Sequence, residues 1–321
     1  RAGAGSAILI EGDAGVGKSR LLAEVARAGR EAGTLVSLQC QRHRHGATLH
    51  PVSDWLEKVA RDVEGGLAAL PGVTPESAPL LGTLVGAETG LPPPSEDPKT
   101  LQDSILGAVT SLLSTPPPEA ETPCRMVLVE DLHWPDEATR ALLGRLLERT
   151  SNDPILVVGT ARPRAGYSLP DGVEVIGLSP LPPEATEALV ARQSGAEALT
   201  PGLRRVIAER SGGVPLFAEE LTRAMLESPA SGSEVPFTLQ DTLMARLDRL
   251  GHGKPLAQLG ALFGRQFSHE LLAACTDMDG ETLQEGLAAL TESDLVAVTD
   301  NGERTYTFRH SLIRDVAYDS M

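Results

Sequence analysis

The sequence predicts an α/β protein whose first half is a three-layer core on a parallel sheet and whose second half is mostly helical. Three observations carry this. Short apolar runs alternate with helical periodicity through residues 1–178. The first run, Ala7-Ile8-Leu9-Ile10, ends in a glycine-rich turn that opens a helix. After Ser179-Pro180-Leu181-Pro182-Pro183 the apolar spacing is helical almost throughout.

The elements follow in order. Beyond the first strand, Leu21, Leu22, Val25 and Ala26 fall on one helical face between Lys18 and Arg30, and Gly33 stops that helix. Leu35–Leu38 is a second strand, so the unit implies a parallel pair with a right-handed crossover. Pro51–Val63 reads as a helix. Residues 65–100, rich in Gly, Pro, Ser and Glu, promise short helices at most. Leu101–Leu113 is helical and Pro116-Pro117-Pro118 breaks it. Met126–Val129 is a strand ending in Glu130-Asp131, and Asp136–Arg149 is an amphipathic helix. Ile155–Val158 is a fourth strand, ending at Gly159-Thr160, and Val173–Ile176 a fifth. Helical spacing then covers Ala185–Arg192, Leu203–Arg210, Leu216–Leu226, Leu239–Leu250 and Leu256–Phe263, with a Ser-, Pro- and Gly-rich linker at 228–236. Leu295–Val298 and Thr305–Phe308 flank Asp300-Asn301-Gly302, a hairpin signal, and helices followed by a hairpin suggest a winged helix.

The bulk numbers narrow the function. The 321 residues suit two or three domains. With 41% hydrophobic residues but 3% aromatic, the core must come from Leu, Val, Ile and Ala. Forty-four acids against 28 bases give a formal charge of −16, which repels a phosphate backbone and argues against nucleic-acid binding. Cys40, Cys124 and Cys275 are scattered and form no C-x-x-C pair, as expected for a reducing cytoplasm. No apolar run reaches the ~18 residues of a membrane span, and the chain shows no secretory signal. Opening at Arg1 and stopping at Met321 within a helical pattern, it reads as a piece of a longer protein.

Gly12-Asp13-Ala14-Gly15-Val16-Gly17-Lys18-Ser19 fits G-x-x-x-x-G-K-[ST] at every fixed position. Gly12, Gly15 and Gly17 let the backbone curl so that its N–H groups face an anion. The next helix adds the partial positive charge of its N-terminus. Lys18 supplies an ammonium for the β and γ phosphates and Ser19 a hydroxyl for Mg²⁺; Arg20 follows them into the helix. Glu130 and Asp131, delivered by a buried strand, are the acids for the metal and the attacking water. By position Glu130 meets the metal shell and Asp131 polarises water. Many ATPases have Asp before Glu, so the split of roles stays open. Thr160 could sense the γ-phosphate and Arg162 stabilise its charge. Cys40, His43, His45 and His50 cluster, but their spacing fits no zinc pattern, and Arg42 and Arg44 between them suit a solvated loop.

At these residues the sequence resembles the signal-transduction ATPases with numerous domains, the STAND branch of the AAA+-related P-loop NTPases, and most of all the modules found beside class III nucleotide (adenylate) cyclase or LuxR-type DNA-binding domains of large bacterial regulators. The matching stretches are Glu11–Leu22, Val127–Trp134, Gly213–Phe217 with Glu219-Glu220-Leu221, Thr238–Leu250 and Tyr306–Tyr318. The resemblance implies a P-loop NTPase core at 1–178, a helical lid at 179–230 and a winged-helix domain at 237–321, cut at its C-terminal end. It implies that Pro215 packs near the adenine or ribose and that His310 contacts the ADP phosphate in the resting state. It also implies an ATP/ADP switch with Mg²⁺, slow hydrolysis, coupling to other domains of the same protein and nucleotide-dependent self-assembly. Competing readings are a nucleotide-holding scaffold without turnover, a DNA-binding regulator acting through the winged helix, and a small-molecule kinase, for which the helical half offers no acceptor site.

Overall fold

The computed structural model describes residues 5–32, 34–41, 48–63, 66–86, 97–116, 124–163, 172–193, 195–227, 238–300 and 304–321. The chain divides into two compact units, residues 1–13 with 17–178, and residues 179–321 with 14–16. His43, His45, Gly33, the 228–236 linker and the Asn301-Gly302 turn lie outside the described residues.

The first unit is built on five parallel strands: β1 (Ser6–Glu11), β2 (Leu35–Gln39), β3 (Arg125–Glu130), β4 (Ile155–Ala161) and β5 (Val173–Gly177). Their order is β2-β3-β4-β1-β5. The helices are α1 (Lys18–Glu31), α2 (His50–Asp62), α3 (Ser77–Val85), α4 (Pro98–Ser114) and α5 (Glu137–Arg149). Alternate residues of the strands feed two cores. Val36, Leu38, Val127, Val129 and Val157 pack with Leu56 of α2, Leu113 of α4 and Leu142 of α5. Ile10, Leu128 and Val158 point the other way, against Leu22 and Ala26 of α1. Cover on both faces explains why β1, β3 and β4 read as apolar runs, while the edge strand β5 is mostly exposed; this is the three-layer α/β core expected.

Capping fixes where helices begin. The Asp97 carboxylate accepts from the N–H groups of Lys99 and Thr100 at the start of α4. Asp136 accepts from the Thr139 N–H at 3.0 Å to open α5, and from the Leu49 N–H at 3.2 Å. One carboxylate thus ties the turn before α2 to the first turn of α5. Two expectations are corrected. Leu21 is 37% exposed rather than on the buried face of α1. Strand β4 runs on through Thr160 and Ala161, which are therefore strand residues rather than a following turn.

The second unit begins with α6 (Pro183–Ala191), α7 (Pro201–Arg210) and α8 (Pro215–Glu227), closed around Val190, Leu199, Ile207, Ala218 and Leu221. There follow α9 (Leu239–Asp248), α10 (Gly253–Phe263), β6 (Gln266–Ser268), α11 (His269–Cys275), α12 (Gly280–Glu292), β7 (Val296–Asp300), β8 (Arg304–Phe308) and α13 (Ser311–Asp319). The three strands form an antiparallel sheet in the order β6-β8-β7. The periodicity singled out nothing between Phe263 and Leu295; β6 and α11 are too short to show a period, but α12, with Leu283, Leu287 and Leu290 on its buried face, was missed outright. Phe267 of β6 stacks on Tyr306 and tilts against Phe308, so the few aromatic residues are concentrated here. Gly260 of α10 lies under Phe267, and a Cβ there would sit 2.6 Å from the ring. Glu220 of α8 and Arg246 of α9 form an ion pair with side chains 3% and 2% exposed, and Arg246 also donates to the Ser293 carbonyl. Asp294 pairs with Arg223 and, at 2.6 Å, with Arg309.

Candidate functional site

Strand β1 stops at Glu11, and the Gly12 N–H donates to the Ala161 carbonyl at 3.3 Å, so the loop leaves the sheet beside the end of β4. Gly15 and Gly17 have φ of 80° and 110°, the region where side chains are strained. Around Gly17 nothing lies within 4 Å of a notional Cβ, so its requirement is conformational rather than steric. Gly17 occupies the N-cap of α1 and offers no side chain to cap it, which leaves that end of the helix, with its partial positive charge, open to an anion.

Lys18 is buried at the first position of α1. Its Nζ donates to the carbonyls of Gly12 at 2.7 Å and Asp13 at 2.8 Å. Burial holds its pKa below the usual lysine value, and the positive charge of Arg162 adds to that, while Asp131 and Asp13 work against it. Ser19 Oγ donates to Glu130 Oε2 at 3.4 Å, across from the end of β3. Asp131, one residue on, has φ of 58°. Its N–H donates to Thr160 Oγ1 at 3.1 Å, and the Leu132 N–H donates to the Thr160 carbonyl at 2.8 Å. The structure therefore brings Lys18, Ser19, Glu130, Asp131, Thr160 and Arg162 to the carboxyl end of the sheet.

The remaining sequence-derived residues stand elsewhere or carry less. Arg20 is exposed on α1. Asp13 is exposed, and Ala14, Gly15 and Val16 group with the second unit. Pro215 occupies the first turn of α8. His310, half-buried, precedes α13; burial lowers its pKa first, then the charges of Arg265, Arg223 and Arg309, against a raising effect of Asp294. Among the described residues no cluster of His, Cys, Asp and Glu is arranged to hold a metal on protein ligands alone. Cys40 is 1% exposed, and burial, with the charges of Asp131 and Asp136, pushes its thiol up to about 12. No described helix is long and apolar enough to cross a membrane.

Sequence reasoning missed the turn after Asp131. The Trp134 N–H donates to the Asp131 carbonyl at 2.9 Å, and His133 Nδ1 stands 4.0 Å from Asp131 Oδ1. A histidine two residues after the acid was the available signal.

Residues 1–158 match the family model of the AAA ATPase domain. That span is just under half of the chain. The AAA ATPase domain is a nucleotide-binding ATPase module, and the loop and acids just described lie within its matched span. An uncharacterized protein of Rhizobium meliloti (strain 1021) is 31% identical over 352 residues, covering 100% of this chain and 33% of its own length. The chain thus spans about a third of that relative. In a STAND protein with a tetratricopeptide repeat sensor from Pyrococcus horikoshii the same fold recurs, with a TM-score of 0.56 at 16% identity over 99% of this chain and 41% of that one. The chain accordingly has an α/β fold of the P-loop NTPase kind, shared with that STAND protein.

Proposed function

We propose that the chain is the ATP/ADP switch of a multidomain bacterial signalling or transcriptional regulator, hydrolysing ATP slowly to control conformation and assembly. The observation that carries this is the convergence of Ser19 on Glu130 beside a buried Lys18. The residues fit magnesium nucleotide. A hydroxyl and two carboxylates offer hard oxygen donors, which suit Mg²⁺ when phosphate oxygens and water complete its shell. Lys18 rests on two loop carbonyls, and phosphate oxygens would be stronger partners for its ammonium.

In this reading Lys18 holds the β and γ phosphates over the N–H groups of Gly12–Ser19, with Arg20 behind them. Ser19, Glu130 and Asp131 hold the metal and its waters, Glu130 foremost, and Asp131 also orients the attacking water. The Glu130-Asp131 order leaves the exchange of those two roles open. Arg162 faces the γ-phosphate, and Thr160 stands at the end of β4 beside it. Pro215, against the adenine or ribose, and His310, toward the ADP phosphate, enter through the resemblance to STAND modules, as do the winged-helix assignment of 237–321 and the helical lid at 179–230. The γ-phosphate biases the switch only by its differential contacts, and full conversion needs about 5.5 kcal/mol of difference.

Lys18→Ala is expected to abolish ATP and ADP binding measured by calorimetry; unchanged affinity would overturn the proposal. The Glu-then-Asp order supports a second reading, a scaffold that holds nucleotide without turnover. Phosphate release by the wild type, slowed but still measurable in Asp131→Asn, excludes the scaffold. The charge of −16 speaks against DNA as the partner.

A further inference from the structure

Asp131 is a non-glycine residue in the left-handed region, φ 58°, at the position where the proposed function needs a carboxylate. Such a conformation persists only where surrounding contacts impose it. Here the neighbouring strand does so. Thr160 uses both of its oxygens on the turn: Oγ1 accepts from the Asp131 N–H at 3.1 Å and the main-chain oxygen from the Leu132 N–H at 2.8 Å. The Trp134 N–H closes the turn on the Asp131 carbonyl at 2.9 Å. Gly159, directly before Thr160, lies beneath the Leu132 side chain, and a Cβ at Gly159 would fall well inside contact distance of Leu132 Cδ1. Thr160 is 2% exposed, so its hydroxyl is a fixed acceptor rather than a solvated one.

We infer that the end of β4 is a template for the acid: Gly159 and Thr160 are positioning residues that set the direction of the Asp131 carboxylate. This rests on the ATPase reading above but differs from a sensor role, in which Thr160 would touch the γ-phosphate itself. The hydroxyl oxygen takes the Asp131 amide and the glycine receives Leu132, so two independent contacts fix one turn. Without the hydroxyl the half-buried Asp131 N–H loses its acceptor, and the backbone is free to return toward the extended region. The carboxylate then points away from the metal and water. Gly159→Ala disturbs the same turn through the Leu132 side chain while removing no polar group.

The test uses the 321-residue chain and the variants T160V, T160S, G159A, D131N and T160V/D131N. T160V is expected to lower kcat on the order of 10²-fold, the scale of a displaced catalytic group, with KM for ATP little changed. T160S restores turnover, and G159A loses it partly. T160V/D131N turns over no more slowly than D131N, because both changes act through one carboxylate. Additive losses would instead assign Thr160 a direct phosphate contact and overturn the template, as would a T160V enzyme of wild-type kcat. A readout independent of turnover is calorimetric ADP binding with and without MgCl₂. T160V is expected to weaken the Mg²⁺-dependent gain in affinity and to leave Mg²⁺-free binding unchanged; an unaltered Mg²⁺ gain sinks the inference. A wild type that binds nucleotide but never releases phosphate would refute the ATPase reading, while the Mg²⁺ comparison still decides the template.

Discussion

Replacing Glu220 by Gln removes one negative charge from the interior of the second unit and changes little else. The side chains of Glu220 and Arg246 are 3% and 2% exposed, so water cannot replace the lost carboxylate. Arg246 keeps its bond to the Ser293 carbonyl, which solvates the guanidinium but does not neutralise it. Breaking a buried pair from one side costs about 3–5 kcal/mol. With a urea slope of about 2 kcal/mol per molar, the midpoint for that unit falls by roughly 1.5–2.5 M. The assay exploits the distribution of chromophores. Both tryptophans, Trp55 and Trp134, lie in the first unit, so their fluorescence follows that unit alone, whereas far-ultraviolet circular dichroism follows the whole chain. The variant is expected to show an early dichroism transition with the tryptophan transition in place. Glu220→Met with Arg246→Met, which removes both charges, is expected to recover most of the loss. A loss below about 1 kcal/mol in the single variant, the value of an exposed pair, would refute the reasoning. So would a double variant no more stable than the single one.

Two further outcomes follow from the same unit. Gly260→Ala places a methyl 2.6 Å from the Phe267 ring and is expected to cost about 1–3 kcal/mol by overpacking; urea denaturation followed by circular dichroism measures it. His310 has a folded pKa below its unfolded value of 6.5. The unfolded chain therefore binds more protons, and the folding penalty grows as pH falls below that value. His310→Gln is expected to flatten the loss of stability between pH 7 and pH 5, read from midpoints at each pH.

Much of the first unit was visible in the residues because its inner strands β1, β3 and β4 are covered on both faces. Val127-Leu128-Val129 splits between two cores, yet every position must be apolar, so the run stands out. The phosphate loop was legible because glycine spacing, lysine and serine are each fixed by chemistry. What sequence did not disclose was contact across strands. Nothing in Gly159-Thr160 shows that it props the turn after Asp131, since the partners are 27 to 29 positions apart and joined largely through main-chain atoms. The extension of β4 through Ala161 was missed for a related reason. Pairing with β1 on one side, not local propensity, keeps Thr160 and Ala161 extended. In the second unit β6 is a strand of three residues, held by β8 and by an aromatic stack that no periodicity could announce.

The thiol of Cys40 lies under the sheet's acidic end, protonated at any physiological pH and closed to solvent. Cys275, by contrast, is exposed at the end of α11. An electrophile or oxidant meeting the native chain therefore reaches Cys275 first, the half-buried Cys124 less readily and Cys40 last. Maleimide dyes would label Cys275 ahead of the other two thiols, and oxidative stress would leave Cys40 and the acids beside it untouched.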